Sequence, residues 1–302
     1  MTSKLNATDT AALLPYSPLI EALANAARQL SSGAIACPER QAIPMQQGAV
    51  MLSMAASAPD IAVHKLVSVA PGNRARGLPT IIGHLSVIDA ASGECAVLLD
   101  GATVTARRTA ALSMLGIQRF FPAPPRSIVM IGIGKQAESH AHAIRAIFPE
   151  ARLSVIGKSL EDAEHFCERV SENDWRCIAL ESIPDDTDVV ITATTSRTPV
   201  YTLPAMAGRL IVALGAFKPD CAEIAPATVL ASTVIVDDLA GARHEAGDLI
   251  LAGADWNKVR ALADALDAAS IPGPVMFKTV GCAAWDLAAA RVALATLRAR
   301  SA

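Results

Sequence analysis

The sequence predicts an α/β protein in two parts: a doubly wound parallel sheet in the second half, and an α+β lobe with antiparallel strands ahead of it. Three observations predict this. Ile128, Val129, Met130 and Ile131 form an apolar, β-prone run that passes directly into Gly132-Ile133-Gly134-Lys135-Gln136-Ala137, a G-x-G-x-x-A turn. From there β-type runs alternate with helix-length segments, the rhythm of parallel strands joined by crossover helices. Between residues 49 and 100 β-type runs instead follow one another across short turn signals, which makes an antiparallel meander.

Composition supports two substantial cores. Of 302 residues, 52% are apolar and 18% charged, while aromatics are only 4%, so the helices pack through alanine and offer few rings on which bases could stack. Lys plus Arg is 26 against Asp plus Glu 29, a net charge of -3 without a long run of either sign. Neither a nucleic acid nor a membrane surface is an expected partner. The six cysteines contain no C-x-x-C pair, which argues against a zinc site and a disulfide framework and fits a reducing cytoplasm. There is no basic segment followed by an apolar one at the N-terminus, and the apolar run 280–290 is interrupted by Asp286.

In chain order, residues 9–14 suit a helical turn ended by Pro15. Ser17 as N-cap, Pro18 as first helical residue, the shared face of Leu19, Leu23, Ala27 and Leu30, and Gly33 as terminator define the next helix. Strands are expected at 49–55, 61–70, 78–89 and 95–99, separated by Ala58-Pro59-Asp60, Pro71-Gly72-Asn73 and Ala91-Ser92-Gly93-Glu94. A helix at 105–115 stops at Gly116, and the proline-rich 120–125 marks a domain boundary. Helices at 136–147 and 160–170 then alternate with strands at 152–156, 177–180, 188–193, 209–214 and 233–236. Residues 256–266 read as helical, 275–279 as a strand, and 283–300 as an alanine-rich helix returning to the first lobe. The expected domains are 1–116 with 275–302, and 117–274.

The glycine turn points to a dinucleotide. Gly132 permits the tight turn, Gly134 leaves no side chain where backbone must approach a pyrophosphate, and Ala137 allows close helix packing. The phosphates would sit on the N–H groups of the helix opening at Lys135 and Gln136. The next strand ends in Gly157-Lys158-Ser159 where an enzyme using NAD commonly carries a carboxylate. Glycine leaves room for a 2′-phosphate and Lys158 with Ser159 can bind it, so the reading leans to NADPH, with NADH possible. Glu161 and Asp162 lie just beyond and could still take the acidic role.

Taken with their order and spacing, several motifs resemble the ornithine cyclodeaminase and mu-crystallin family over nearly the whole chain. They are Pro38-Glu39-Arg40, His64-Lys65, Pro71-Gly72-Asn73, Gly77-Leu78-Pro79-Thr80, Thr105-Ala106-Arg107-Arg108-Thr109-Ala110-Ala111, the glycine turn, Thr194-Thr195-Ser196-Arg197-Thr198-Pro199, Gly215-Ala216-Phe217-Lys218-Pro219, and Lys278-Thr279-Val280-Gly281 with Asp286. The resemblance implies a homodimer whose first lobe carries substrate groups and the dimer interface, and whose Rossmann domain supplies the nicotinamide. It places Arg40, Lys65 and Arg108 against a small amino or imino acid carboxylate and the nicotinamide, and Thr80, Thr109, Thr194, Leu214 and Thr279 along the cofactor. Val280 is expected on the substrate side. Chemistry agrees: an anionic substrate needs desolvated cations, and arginine matches a carboxylate bidentately.

One departure from the family pattern redirects the function. The ornithine cyclodeaminases carry an aspartate after the glycine pair, whereas this chain has Phe217, which neither accepts a proton nor orients a nucleophile. No glutamate occurs between Pro44 and Pro59, where the cyclodeaminases carry another acid. What remains suits the family's reductase branch, which converts 1-pyrroline-2-carboxylate and 1-piperideine-2-carboxylate to proline and pipecolate. Phe217 would form an apolar wall. The alternatives are an ornithine cyclodeaminase or alanine-type dehydrogenase using NAD+, and a non-catalytic NADPH-binding protein.

Other constellations carry less. His140 and His142 are two apart on a helix and point in different directions. His64 and Lys65, adjacent on a strand, face opposite sides, so one of them belongs to a site. Asp237, Asp238, Glu245 and Asp248 read as loop caps and solvated charges, with no metal expected. Asp286 would orient Lys65 or cap the glycine turn. Neither a G-x-S-x-G nor a Walker signature is present.

Overall fold

The computed structural model describes residues 3–172 and 175–301. It divides into two compact units, Met1–Ala111 with Cys282–Ala302, and Leu112–Gly281.

The first unit opens with β1 (Ser3–Lys4), α1 (Ala7–Ala12) and α2 (Tyr16–Ser31). It continues through β2 (Gln41–Pro44), β3 (Val50–Ser57), β4 (Ile61–Val69), β5 (Ile81–Asp89) and β6 (Cys95–Asp100). These strands form one sheet in the order β1-β6-β5-β4-β3-β2, antiparallel except for β1 beside β6. In β4 the buried positions are Ile61, Val63, Lys65 and Val67, the period of two that a half-buried strand imposes. Helix α2 begins earlier than its Ser17-Pro18 signal suggests: Pro15 is the N-cap, in extended conformation. Tyr16 is already buried and lies under the Arg107 guanidinium, 4.1 Å from ring centre to charge, which draws the start of the helix back. β2 has no sequence signal, being short, exposed throughout and ended by Pro44. The turn after β4 winds into a 3-10 helix, Pro71–Arg76, and strand β5 starts only at Ile81.

Helix α3 spans Gly101–Phe120, so Gly116 does not stop it. A Cβ at Gly116 would run into the Phe277 ring; the glycine is there for close packing.

The second unit contains β7 (Ser127–Ile131), α4 (Lys135–Ile147), β8 (Arg152–Ile156), α5 (Leu160–Val170), β9 (Cys177–Ala179), β10 (Val189–Thr192) and β11 (Leu210–Ala213). It is completed by α6 (Pro226–Leu230), β12 (Thr233–Val236), α7 (Leu239–Glu245), α8 (Gly247–Ala252), β13 (Arg260–Ala261), α9 (Leu262–Leu266) and β14 (Val275–Lys278). All eight strands are parallel, in the order β13-β12-β14-β11-β10-β7-β8-β9. The chain winds outward from β7 through β8 to β9 and then restarts at β10 on the other side, so the topological switch point lies between β7 and β10. Val129, Val190, Ile211, Val236 and Met276 share a core with Ala242 and Leu249 of α7 and α8.

Two expectations are corrected here. β14, assigned from sequence to the first lobe, lies inside the parallel sheet between β11 and β12. Residues 256–266 are not one helix, because Arg260 and Ala261 pair with β12 and extend the sheet before α9 begins.

The last helix, α10 (Ala283–Ser301), belongs to the first unit, packing on α2, β3 and β4. Its first turns are buried on all sides, and Ala288, Ala289 and Ala290 let neighbouring backbones approach closely. Arg291 anchors it by paired bonds of 2.8 and 2.7 Å to Asp60 and one of 2.6 Å to Gln29. No helix among the described residues is long and apolar enough to cross a membrane.

Candidate active site

In the first unit the sequence-predicted cations meet a buried carboxylate. The pleat of β4 turns Lys65 inward among Val63 and Val67 and leaves His64 on the other face, where its Nε2 lies 2.9 Å from Ser53 Oγ. α3 supplies Arg108 and the first turn of α10 supplies Asp286. Lys65 Nζ is 2.7 Å from Asp286 Oδ2, and Arg108 Nε is 3.4 Å from Asp286 Oδ1. Neither Asp286 oxygen nor Arg108 Nε has a well-angled hydrogen bond, so the attraction is chiefly that of charge. Burial pushes Lys65 down to about 8; Asp286 opposes that shift, while the positive charges of Arg108 and Arg40 reinforce it.

Two cations against one anion, with Arg40 adding a third positive field, is a desolvated excess of positive charge that a small carboxylate would neutralise. Arg40 is half-buried in the segment before β2. Thr109 follows Arg108 on α3 and is 7% exposed. Thr80 is exposed, and its carbonyl accepts from Ala70 N. Buried Asn73 shapes the loop before Thr80, donating to the Pro79 carbonyl and accepting from Arg76.

In the second unit the predicted cofactor residues fall at the carboxyl ends of consecutive strands. Gly157 follows β8, Gly132 and Gly134 follow β7, Thr194 follows β10, Leu214 follows β11 and Thr279 follows β14. Gly132 has φ 123°, a conformation open to glycine, and a Cβ there would press on the Ala193 carbonyl. Gly134 differs: it is the N-cap of α4, offers no side-chain cap, and a Cβ would meet nothing within 4 Å. Gln136 Oε1, one turn into that helix, is buried without a hydrogen-bond partner. Open space, an uncapped helix N-terminus and an orphaned buried oxygen fit a dinucleotide at this edge. Lys135 is exposed and paired with Glu138 at 2.9 Å.

Lys158 and Ser159 are exposed after β8, and Ser159 also caps α5 by accepting from Asp162 N. Gly157 is required by packing, since a Cβ would stand 2.9 Å from the Ser159 carbonyl oxygen. Glu161 and Asp162 occupy the first turn of α5, where negative charge complements the helix dipole. Phe217 is 37% exposed. Val280, expected on the substrate side, instead packs into the core of the second unit.

Sequence reasoning missed a buried charged network in this unit. Glu223, fully buried, accepts from Thr194 N and Oγ1 at 2.6 and 2.8 Å and from Gly215 N and Ala216 N at 2.6 and 3.2 Å. It therefore ties together the loops after β10 and β11. Burial holds its carboxyl above the usual range, opposed by Lys278 and by bonds from Thr194. Asp248 accepts from Glu223 N and Ile224 N and pairs with Lys278 at 2.9 Å. Asp237 accepts from Val280 N and Gly281 N, both at 2.9 Å. The expectation of loop capping suits Asp237, Asp238 and Asp248, but solvation is corrected for Asp237 and Asp248, which are 4% and 0% exposed. The available signal was Glu223 itself, set between the apolar Ala222 and Ile224. His140 is also fully buried, accepting or donating with Ser113 Oγ at 2.8 Å and Gln136 O at 2.7 Å, and burial drives it down to about 4. Among the described residues, no three His, Cys, Asp or Glu side chains group in a way that could hold a metal ion.

A doubly wound sheet with a dinucleotide turn, joined in one chain to a unit bearing a buried cation cluster, defines a Rossmann-type protein. The chain belongs to the ornithine cyclodeaminase/mu-crystallin family, whose pattern matches residues 3–299. It is 55% identical over 300 residues to the Delta(1)-pyrroline-2-carboxylate/Delta(1)-piperideine-2-carboxylate reductase of Azospirillum brasilense, covering 98% of this chain and 96% of that one. To the ketimine reductase mu-crystallin of Mus musculus it is 27% identical, over 91% of this chain and 89% of the relative. The fold is shared with the Delta(1)-pyrroline-2-carboxylate reductase of Thermococcus litoralis, at TM-score 0.89 and 24% identity, covering 99% and 98% of the two chains.

Proposed function

We propose that this protein is an NAD(P)H-dependent reductase of small cyclic imino acids, converting 1-pyrroline-2-carboxylate and 1-piperideine-2-carboxylate to L-proline and L-pipecolate. The observation that carries the reading is the buried Lys65, Arg108 and Asp286 cluster with its excess positive charge, in a chain that has Phe217 where a cyclodeaminase needs an acid. The 55% identity to the Azospirillum brasilense reductase supports it.

Arg108 and Arg40 bind the substrate carboxylate, and the field of Lys65 strengthens that hold. Lys65, lowered to about 8, keeps a proton at Nζ near neutral pH and can give it up to an imine nitrogen. Asp286 holds the ammonium in place and keeps it charged. When bound, the reduced dinucleotide supplies the hydride. Phe217 and the buried aliphatic residues exclude water, leaving orientation and desolvation as the main sources of rate. Lys158 and Ser159 favour NADPH over NADH by receiving a 2′-phosphate.

The protein acts as a homodimer in the cytoplasm. Ile43, Met45, Leu78 and Ile82 expose 42 to 48% of their surfaces beside edge strand β2 and the start of β5, an apolar face suited to a second copy. Six free cysteines suit a reducing compartment.

Incubation with both imines and each reduced dinucleotide tests the reading. Loss of nicotinamide absorbance with formation of proline or pipecolate is expected. Turnover of neither imine, with ammonia released from L-ornithine instead, would overturn it.

A further inference from the structure

Cys167 and Cys177 do not meet in the sequence pattern, yet their sulfurs stand 2.9 Å apart. That is roughly 0.9 Å more than the ~2.05 Å of a disulfide bond. Both are free thiols. Cys167 lies on the inner face of α5, in the row Ala163, Phe166, Cys167, Val170, and Cys177 is the first residue of β9, opposite Leu153 of β8.

The backbones that carry the two sulfurs are held together by a third residue. Ser171 N donates to the Cys167 carbonyl at 2.9 Å, and Cys177 N donates to Ser171 Oγ at 3.0 Å. Glu172 and Trp175 close the connection with reciprocal backbone bonds of 3.2 and 3.0 Å. The sulfurs are thus positioned by the fold, and small side-chain rotations suffice to join them.

We propose that Cys167 and Cys177 form a reversible oxidation site, closing to an intramolecular disulfide when the protein meets a peroxide. A hydrogen bond links the two thiols, with Cys167 lowered and Cys177 raised, and Cys167 is taken as the attacking sulfur with Cys177 resolving. Cys167 sulfur attacks one peroxide oxygen, the O–O bond breaks, and the departing hydroxide takes up a proton to leave as water. The resulting sulfenic acid is attacked by Cys177 sulfur; the S–O bond breaks and a second water leaves with the Cys177 proton. Two thiols have lost two electrons and two protons, and one peroxide has become two waters. The residues are 6% and 8% exposed, which bars the active site of another protein and leaves a small peroxide as the oxidant.

The pair lies at the end of α5 and the start of β9, opposite Leu153 of β8, while Lys158 and Ser159 stand at the other end of α5, so the proposal is independent of the 2′-phosphate reading.

The test treats native protein with hydrogen peroxide, alkylates the remaining thiols after denaturation, and maps peptides. The expected result is a cross-linked 167–177 species two hydrogens lighter than its reduced form, loss of two of the six thiols, and recovery of both with dithiothreitol. Cys177→Ser should yield sulfenic acid at Cys167 without the cross-link. Protein oxidised while unfolded should form this pair in a smaller fraction of molecules, with only the preference that its ten-residue separation gives. Both thiols remaining alkylatable in the native protein, or bonding no more often than in the unfolded chain, would overturn the proposal.

Discussion

Lys65 Nζ lies 2.7 Å from Asp286 Oδ2, with the two side chains only 2% and 0% exposed. A strand of the first sheet and the last helix of the chain, more than two hundred residues apart in sequence, together keep an ammonium charged where burial alone would neutralise it. Burial still wins in part, and Lys65 falls from 10.5 to about 8.

That balance sets the pH dependence of the reaction. The protonated fraction of Lys65 disappears as pH rises through about 8, so kcat/KM for the imine should fall on the alkaline side with an inflection in that region. Asp286→Asn removes the one group that raises the ammonium and should move the inflection to lower pH. A pH-rate profile of each form decides it; an unmoved inflection in the variant would show that another group titrates.

Stability responds in a definite direction. Because folding lowers Lys65, the unfolded chain binds more protons between about 8 and 10.5, and the contribution of this group to stability rises with pH across that window. Below about 8 it is a constant cost. Urea midpoints from pH 7.5 to 10.5 for the wild type and Lys65→Met should converge or cross with that sign, and a wild type that loses stability relative to the variant would contradict it.

Arg108→Ala should reduce kcat/KM for 1-pyrroline-2-carboxylate by about 2 to 4 kcal/mol, the scale of a charge-assisted hydrogen-bonded pair in a dry site. Arg108→Lys keeps charge but not the fork and should recover only part of the loss. Steady-state kinetics with saturating dinucleotide measure both. Equal efficiency in all three proteins would remove Arg108 from the substrate.

The two glycines of the dinucleotide turn should separate under mutation. Gly132→Ala forces a side chain into φ 123° against the Ala193 carbonyl and should lower the melting temperature. Gly134→Val enters open space and should leave folding intact while abolishing dinucleotide binding. Thermal melts and fluorescence titration with NADPH distinguish them, and full NADPH affinity in Gly134→Val would place the pyrophosphate elsewhere.

Legibility from sequence followed the range of the interactions. The glycine turn, β8 and α5 could be read because a strand, its turn and the next helix are consecutive, and their side-chain periods are local. The Lys65 position was half legible: β alternation states that Lys65 and His64 face opposite ways, but which faces inward depends on the sheet's partners. Gly116 misled because a glycine that admits the Phe277 ring looks the same in sequence as one that ends a helix. β14 misled for a topological reason, since a strand late in the chain inserts between two earlier ones and no local pattern encodes that order. The Glu223 network showed in sequence only as an acid between apolar neighbours, because its donors come from the loops after two other strands.

Glu223 supplies the remaining prediction. Its two oxygens receive four hydrogen bonds from Thr194, Gly215 and Ala216, and it shares Asp248 with Lys278. Glu223→Ala strands those buried donors and should cost about 3 to 5 kcal/mol of stability, the range for breaking a buried charged network. Glu223→Gln keeps the shape and one acceptor, so it should fold better than the alanine variant but hold the Thr194 and Gly215 loops less firmly. Those loops stand at the carboxyl ends of β10 and β11, beside the switch point, so weaker dinucleotide binding by a correctly folded Glu223→Gln is the expected signature. Urea denaturation gives the stability difference and NADPH titration gives the second effect. Wild-type affinity in folded Glu223→Gln would confine Glu223 to holding the fold.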